Sequence, residues 1–138
     1  MTDLLQSKLV VLRDNLEHLA QLPQDSYAEF SADFRTLDSA LHRLQTSIQA
    51  LIDIGSYVLA ELGLGAPATS RAILELLEQH GKLPQGSVSR FGPIFGFRNR
   101  IVHLYDRVDP EIVYRVLVER RDDLAELADL LLAALEES

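Results

Sequence analysis

Phe91-Gly92-Pro93-Ile94-Phe95-Gly96-Phe97-Arg98-Asn99-Arg100-Ile101-Val102-His103-Leu104-Tyr105 is the stretch on which the fold turns. At 100° per residue, Phe95, Arg98, Val102 and Tyr105 fall within about 40° of Phe91 around a helix. Ile94, Phe97, Ile101 and Leu104 form a second stripe beside the first and are expected to face a helical core. The first stripe belongs in a core or an interface, yet it contains Arg98. A guanidinium cannot shed its charge, so an arginine among apolar residues needs a partner or a polar cavity. On the other flank Gly92, Gly96, Asn99 and His103 line one edge of the same helix. The glycines leave room there for another backbone or a ligand, and Asn99 and His103 stand one turn apart.

Outward from this stretch the chain stays helical. Leu5, Leu9, Leu12, Leu16 and Leu19 form a stripe that ends near Pro23. Residues 24–35 read as a polar connection carrying Phe30 and Phe34, with room for a partly helical stretch. A long helix follows, with Thr36 as a candidate cap, Leu37, Leu41, Leu44, Ile48, Leu51 and Ile52 in its stripe, and Gly63 and Gly65 as its stop. Ser70 is a candidate N-cap for a short helix ending at Gly81. The helix of the opening stretch lies within 86–106, with Pro93 at its start or kinking it. Asp109-Pro110 is a strong start signal for a last helix running to about Leu135. The expected fold is therefore all-α: an up-and-down antiparallel bundle of about five helices forming a single domain over 1–138.

Composition narrows the function. With no cysteine there is no disulfide frame, thiolate nucleophile or thiolate metal site. No His, Asp and Glu spacing suggests a metal centre, no glycine-rich loop suggests a phosphate cradle, and no cofactor is expected. The first residues lack a signal-peptide pattern and the longest apolar run, Leu130 to Leu135, is too short to span a bilayer. The expectation is a soluble cytoplasmic protein without a membrane partner. A net charge of −8 argues against a general nucleic-acid coat. Residues 82–121 nonetheless hold eight Lys/Arg against four Asp/Glu, a local +4 on an acidic body. Such a segment can meet a phosphate or simply be a solvated helix face. His103 alone reads equally as a helix-end or surface residue, Tyr105 as an anchor, and the glycines as aids to packing.

The run from Phe97 to Tyr105 resembles the signature of HEPN ribonucleases: arginine, a polar residue, a short spacer and histidine. The Leu-Tyr after the histidine is similar to the HepT-like branch, the toxin half of HepT/MntA toxin–antitoxin modules. Residues 44–55, 63–67 and 110–114 also resemble that family, so the likeness extends over roughly 37–118. The resemblance implies cleavage of RNA without a metal, the ribose 2′-hydroxyl attacking the neighbouring phosphate. His103 would be the general acid/base, for which a pKa near neutrality suits it, and Arg98 the clamp on the phosphorane charge. Asn99 would orient the phosphate or the ring. Tyr105 would be the tyrosine to which a nucleotidyltransferase antitoxin transfers AMP. Asp53 would support the site by pairing with Arg98.

The partners expected are a second copy of the chain, an MntA-like nucleotidyltransferase and an RNA substrate. The homodimer is expected to bring two copies of the motif helix face to face, because a stripe containing Arg98 is hard for one bundle to bury. Two other readings stand beside this one. The first is a non-catalytic HEPN module that binds nucleotide or pairs with a nucleotidyltransferase. The second is a plain dimerisation adaptor whose contact is Phe91, Phe95 and Val102.

Overall fold

The computed structural model describes residues 2–103 and 108–136, except for the side chains of Val102 and His103. Six helices and no strand occur among the described residues: α1 (Asp3–Gln21), α2 (Tyr27–Ser31), α3 (Phe34–Leu62), α4 (Ser70–Gln79), α5 (Ser87–His103) and α6 (Pro110–Glu136). Leu104 and Tyr105 lie outside the described residues.

Polar side chains start most of these helices by accepting otherwise unbonded backbone N–H groups. Thr2, Ser26, Asp33 and Thr69 do so for α1 to α4. Asp109 Oδ1 accepts from Glu111 N at 2.9 Å, and Pro110 is the first residue of α6, as its fixed φ favours. Gly63 closes α3 at φ 66°, a left-handed turn that costs glycine least. The caps of α3 and α4 thus fall at Asp33 and Thr69, earlier than the expected Thr36 and Ser70. The sixth helix is α2, a five-residue turn inside the expected connection. It exists to bury Phe30, which sits against Tyr27 and Tyr114 with ring centroids 6.4 and 5.3 Å away.

α3 is the axis of the bundle and touches each of the other five helices. α1 and α6 pack on it with Leu5, Leu9, Leu12 and Leu19 from one and Leu117, Leu124, Leu127 and Leu131 from the other. α4 approaches α3 closely at Gly55. A Cβ placed there would lie 2.6 Å from Ile73 Cγ2, so only the absent side chain permits the contact. α4 in turn supports α5, and Glu78 Oε1 accepts from Val88 N at 2.8 Å in the first turn of α5.

Both apolar stripes of α5 are used within one chain. Ile94, Phe97 and Ile101 are buried as expected, and Phe91 and Phe95 are each only 1% exposed. A helix bedded between α3, α4 and α6 buries a wide arc of its surface, not one narrow face. For Phe91 and Phe95 this corrects the expectation that one bundle cannot comfortably bury the first stripe, and it takes both out of the adaptor contact of Phe91, Phe95 and Val102; Val102 and Tyr105 lie outside the described side chains. Pro93 lies inside α5 and not at its start. A polar cluster ties α5 to α6: Arg90 donates to Asp123 at 2.7 Å and to Glu126, and Arg120 donates to Asp123 at 3.1 Å and to the Arg90 carbonyl at 3.2 Å. Burial pushes the Asp123 carboxyl up, but its bonds to Arg90 and Arg120 outweigh that and hold it below its usual range. The bond from Arg90 likewise holds Glu126 down.

Candidate functional site

The buried arc of α5 leaves one strip in solvent. Pro93, Gly96, Asn99 and Arg100 are exposed on it, and α5 is described as far as His103. Asn99 and Arg100 precede His103 by four and three residues, the two spacings that put helical neighbours beside each other. Gly96 is open, with nothing within 4 Å of a Cβ built on it. Gly92, on the same edge, is covered: Arg71 reaches across from α4, and a Cβ at Gly92 would stand 3.2 Å from its Nη1. One of the two expected gaps is therefore filled by a guanidinium of the chain itself.

Arg98 lacks, at its Nε, the partner that its place in an apolar stripe calls for. It is half-buried in α5. Its Nε is shut off from solvent and has no hydrogen-bond partner among the described residues. A buried donor without an acceptor costs free energy that a purely structural role would not require. Asp53 does not supply the acceptor. On α3 it binds Lys8 Nζ at 2.8 Å and accepts from Gln49 Nε2 at 2.9 Å. The expected pair with Arg98 is not formed; Asp53 ties α1 to α3 instead. Sequence reasoning missed Lys8 because a polar contact between distant helices has no periodicity to reveal it. The side chain of His103 and all of Tyr105 lie outside the described residues. Among the described residues no three His, Cys, Asp or Glu side chains gather as a metal site would need, and no helix is long and apolar enough to cross a membrane.

Comparison with known proteins extends the resemblance to nearly the whole chain. The model of the "Ribonuclease HepT-like" family matches residues 12–131. An mRNA nuclease HepT of Shewanella oneidensis is 28% identical over 133 residues, covering 96% of this chain and 99% of that protein. A tRNA nuclease HepT of Aphanizomenon flos-aquae is 29% identical over 115 residues, covering 83% and 78%. Among solved structures, the tri-AMPylated HEPN toxin of Shewanella oneidensis, in complex with its MNT antitoxin, superposes with a TM-score of 0.84 at 28% identity over 96% of this chain and 99% of that one. A toxin–antitoxin structure with AMP-PNP gives 0.82 at 27% identity, over 95% and 99%.

A helical bundle of this form, with an arginine held inside the apolar stripe of its motif helix, is the HEPN class of toxin-module protein. Within that class the chain belongs to the HepT-like ribonuclease family.

Proposed function

We propose that the chain is a metal-independent endoribonuclease toxin that acts as a homodimer and is silenced by AMP transfer from a nucleotidyltransferase antitoxin. The observation that carries this reading is Arg98: a half-buried arginine whose sealed Nε has no partner among the described residues, on the same helix as His103. Such a group is prepared for an anion that the free chain does not contain. The relatives from Shewanella and Aphanizomenon are an mRNA and a tRNA nuclease, respectively, so the substrate class is RNA.

The reaction needs few groups. The ribose 2′-oxygen attacks the adjacent phosphorus as its proton passes to a base, and the bond to the 5′-oxygen breaks as that oxygen receives a proton. The products are a 2′,3′-cyclic phosphate and a free 5′-hydroxyl. His103 serves these proton transfers, Arg98 bonds the phosphorane oxygens, and Asn99 orients the phosphate from one turn away. A second copy of the chain places another Arg98 and His103 around the same RNA. Tyr105 is the acceptor of AMP, in keeping with the AMP carried by the Shewanella toxin. The added phosphate competes with RNA for Arg98.

The test is His103→Ala. It is expected to end growth arrest on expression and to lower RNA cleavage about 10²–10⁴-fold, the usual contribution of a positioned acid/base. Cleavage at the wild-type rate removes His103 from the site, and a monomer at micromolar concentration in sedimentation removes the dimer.

A further inference from the structure

The groove between α5 and α6 is unaccounted for by the site above. It encloses about 230 Å³. Its floor is apolar, made of Ile94 and Phe97 from α5 and Ile112 and Val116 from α6, and Arg100 on α5 and Arg115 on α6 also line it. Both arginines are exposed, and neither makes an ion pair among the described residues. Arg120, also on the rim, is already engaged by Asp123, and Glu119 is the single carboxylate in the lining. On a chain with a net charge of −8, two guanidiniums with no ion pair among the described residues, beside an apolar floor, are a local reversal of sign.

The place of the groove matters as much as its chemistry. Arg100 lies three residues before His103 on α5, one turn away and about 4.5 Å along the axis. It therefore belongs both to the exposed strip of the motif helix and to the groove wall. Arg100 thus joins the strip to the groove, where Arg115 stands on α6. The volume is below the roughly 300–1,000 Å³ of pockets that enclose whole drug-sized ligands. It suits one planar ring laid on Phe97 and Ile112 with its phosphate held outside by arginine, the pattern by which proteins hold single strands.

We propose that the α5–α6 groove is a subsite for one nucleotide of single-stranded RNA flanking the cleaved bond. The base rests on the apolar floor, and Arg100 and Arg115 bind the phosphates beside it. This rests on the ribonuclease reading, and it adds a reason why an acidic protein grips RNA at all. Arg115 is the discriminating residue, since it sits on α6, away from the motif, and its removal breaks no hydrogen bond or ion pair among the described residues.

The experiment is fluorescence anisotropy of the full chain with a labelled single-stranded 12-nucleotide RNA carrying 2′-O-methyl groups throughout, so that no attack is possible. Arg115→Glu is expected to weaken binding about tenfold, as loss of a charge-assisted phosphate contact does. The slope of log affinity against log salt should flatten by about 0.7 for each phosphate released. Arg115→Lys should recover most of the affinity, and thermal melts of both variants should match the wild type. Unchanged affinity and slope in Arg115→Glu, with wild-type binding intact, overturn the subsite alone; that is the result expected of a groove built for an acidic protein surface. A wild-type chain that binds no RNA overturns the subsite together with the ribonuclease reading.

Discussion

Replacing Arg98 by methionine should make the protein more stable and inactive at once. Methionine keeps an unbranched chain of similar reach, has nearly the helix propensity of arginine, and carries no donor. The wild-type Nε is buried without a partner among the described residues. Leaving such a donor unsatisfied costs about 1–3 kcal/mol, and the substitution removes that cost. At about 2.1 cal/mol/K per residue, the unfolding entropy of 138 residues is near 0.3 kcal/mol/K, so each kcal/mol moves Tm by about 3–4 °C. Arg98→Met should therefore melt about 3–10 °C above the wild type. The assay is calorimetry at one fixed protein concentration, because the Tm of a dimer depends on concentration. Cleavage of RNA by the same variant should fall by at least about 10², the scale of losing one preorganised electrostatic contact. A variant that melts below the wild type would refute the reasoning, since Arg98 would then be an ordinary structural arginine with its needs met.

Gly55→Ala sets about 1 kcal/mol of helix propensity against about 1–3 kcal/mol of overpacking on Ile73, so denaturant titration should show net destabilisation. The loss should shrink when Ile73→Ala is present, and additive effects would dismiss the steric account. Acid should weaken the α5–α6 cluster. The folded carboxyls of Asp123 and Glu126 lie below their ordinary 3.8 and 4.5, so their contribution is complete above about pH 4.5 and fades as pH falls below 3.8. Arg90→Ala should flatten this acid limb of Tm against pH, and an unchanged limb would show that other carboxylates dominate it. RNA cleavage should persist in chelator; loss in EDTA with recovery in magnesium would reject the metal-free mechanism. After coexpression with a nucleotidyltransferase antitoxin, intact mass should show added AMP that Tyr105→Phe lacks, and an unchanged gain in that variant would place the modification elsewhere.

The sequence made the long helices legible because each buries a stripe that recurs every three to four residues, and Asp109-Pro110 and Gly63 are local signals that need no tertiary context. α2 was legible only as a partly helical connection, because five residues are too few to display a period and fix its bounds, and Phe30 is buried by what surrounds it and not by its neighbours in sequence. Periodicity also assigns a face without naming what covers it. Phe91 and Phe95 were read as facing either a core or another subunit, and only the packing of α5 among α3, α4 and α6 decides for the core. Arg98 was legible for the opposite reason, being a charge where the pattern called for a hydrophobe. The partner of Asp53 was not, because Lys8 lies on another helix and no spacing rule links the two.

With its stripes committed to the core, α5 offers RNA a narrow strip, and this narrowness has a consequence for selectivity. A chain of net charge −8 repels a polyanion over most of its surface. Under the proposed function, the attraction that matters comes from Arg98, Arg100 and Arg115, on or beside one well-packed helix. A loop-borne cation would follow the RNA into many poses; an arginine on a helix fixed by Phe91, Phe95 and Ile101 admits few. Under that reading the acidic body works with the strip, by disfavouring RNA over the rest of the surface. Position of binding, more than strength of binding, selects the bond that is cut.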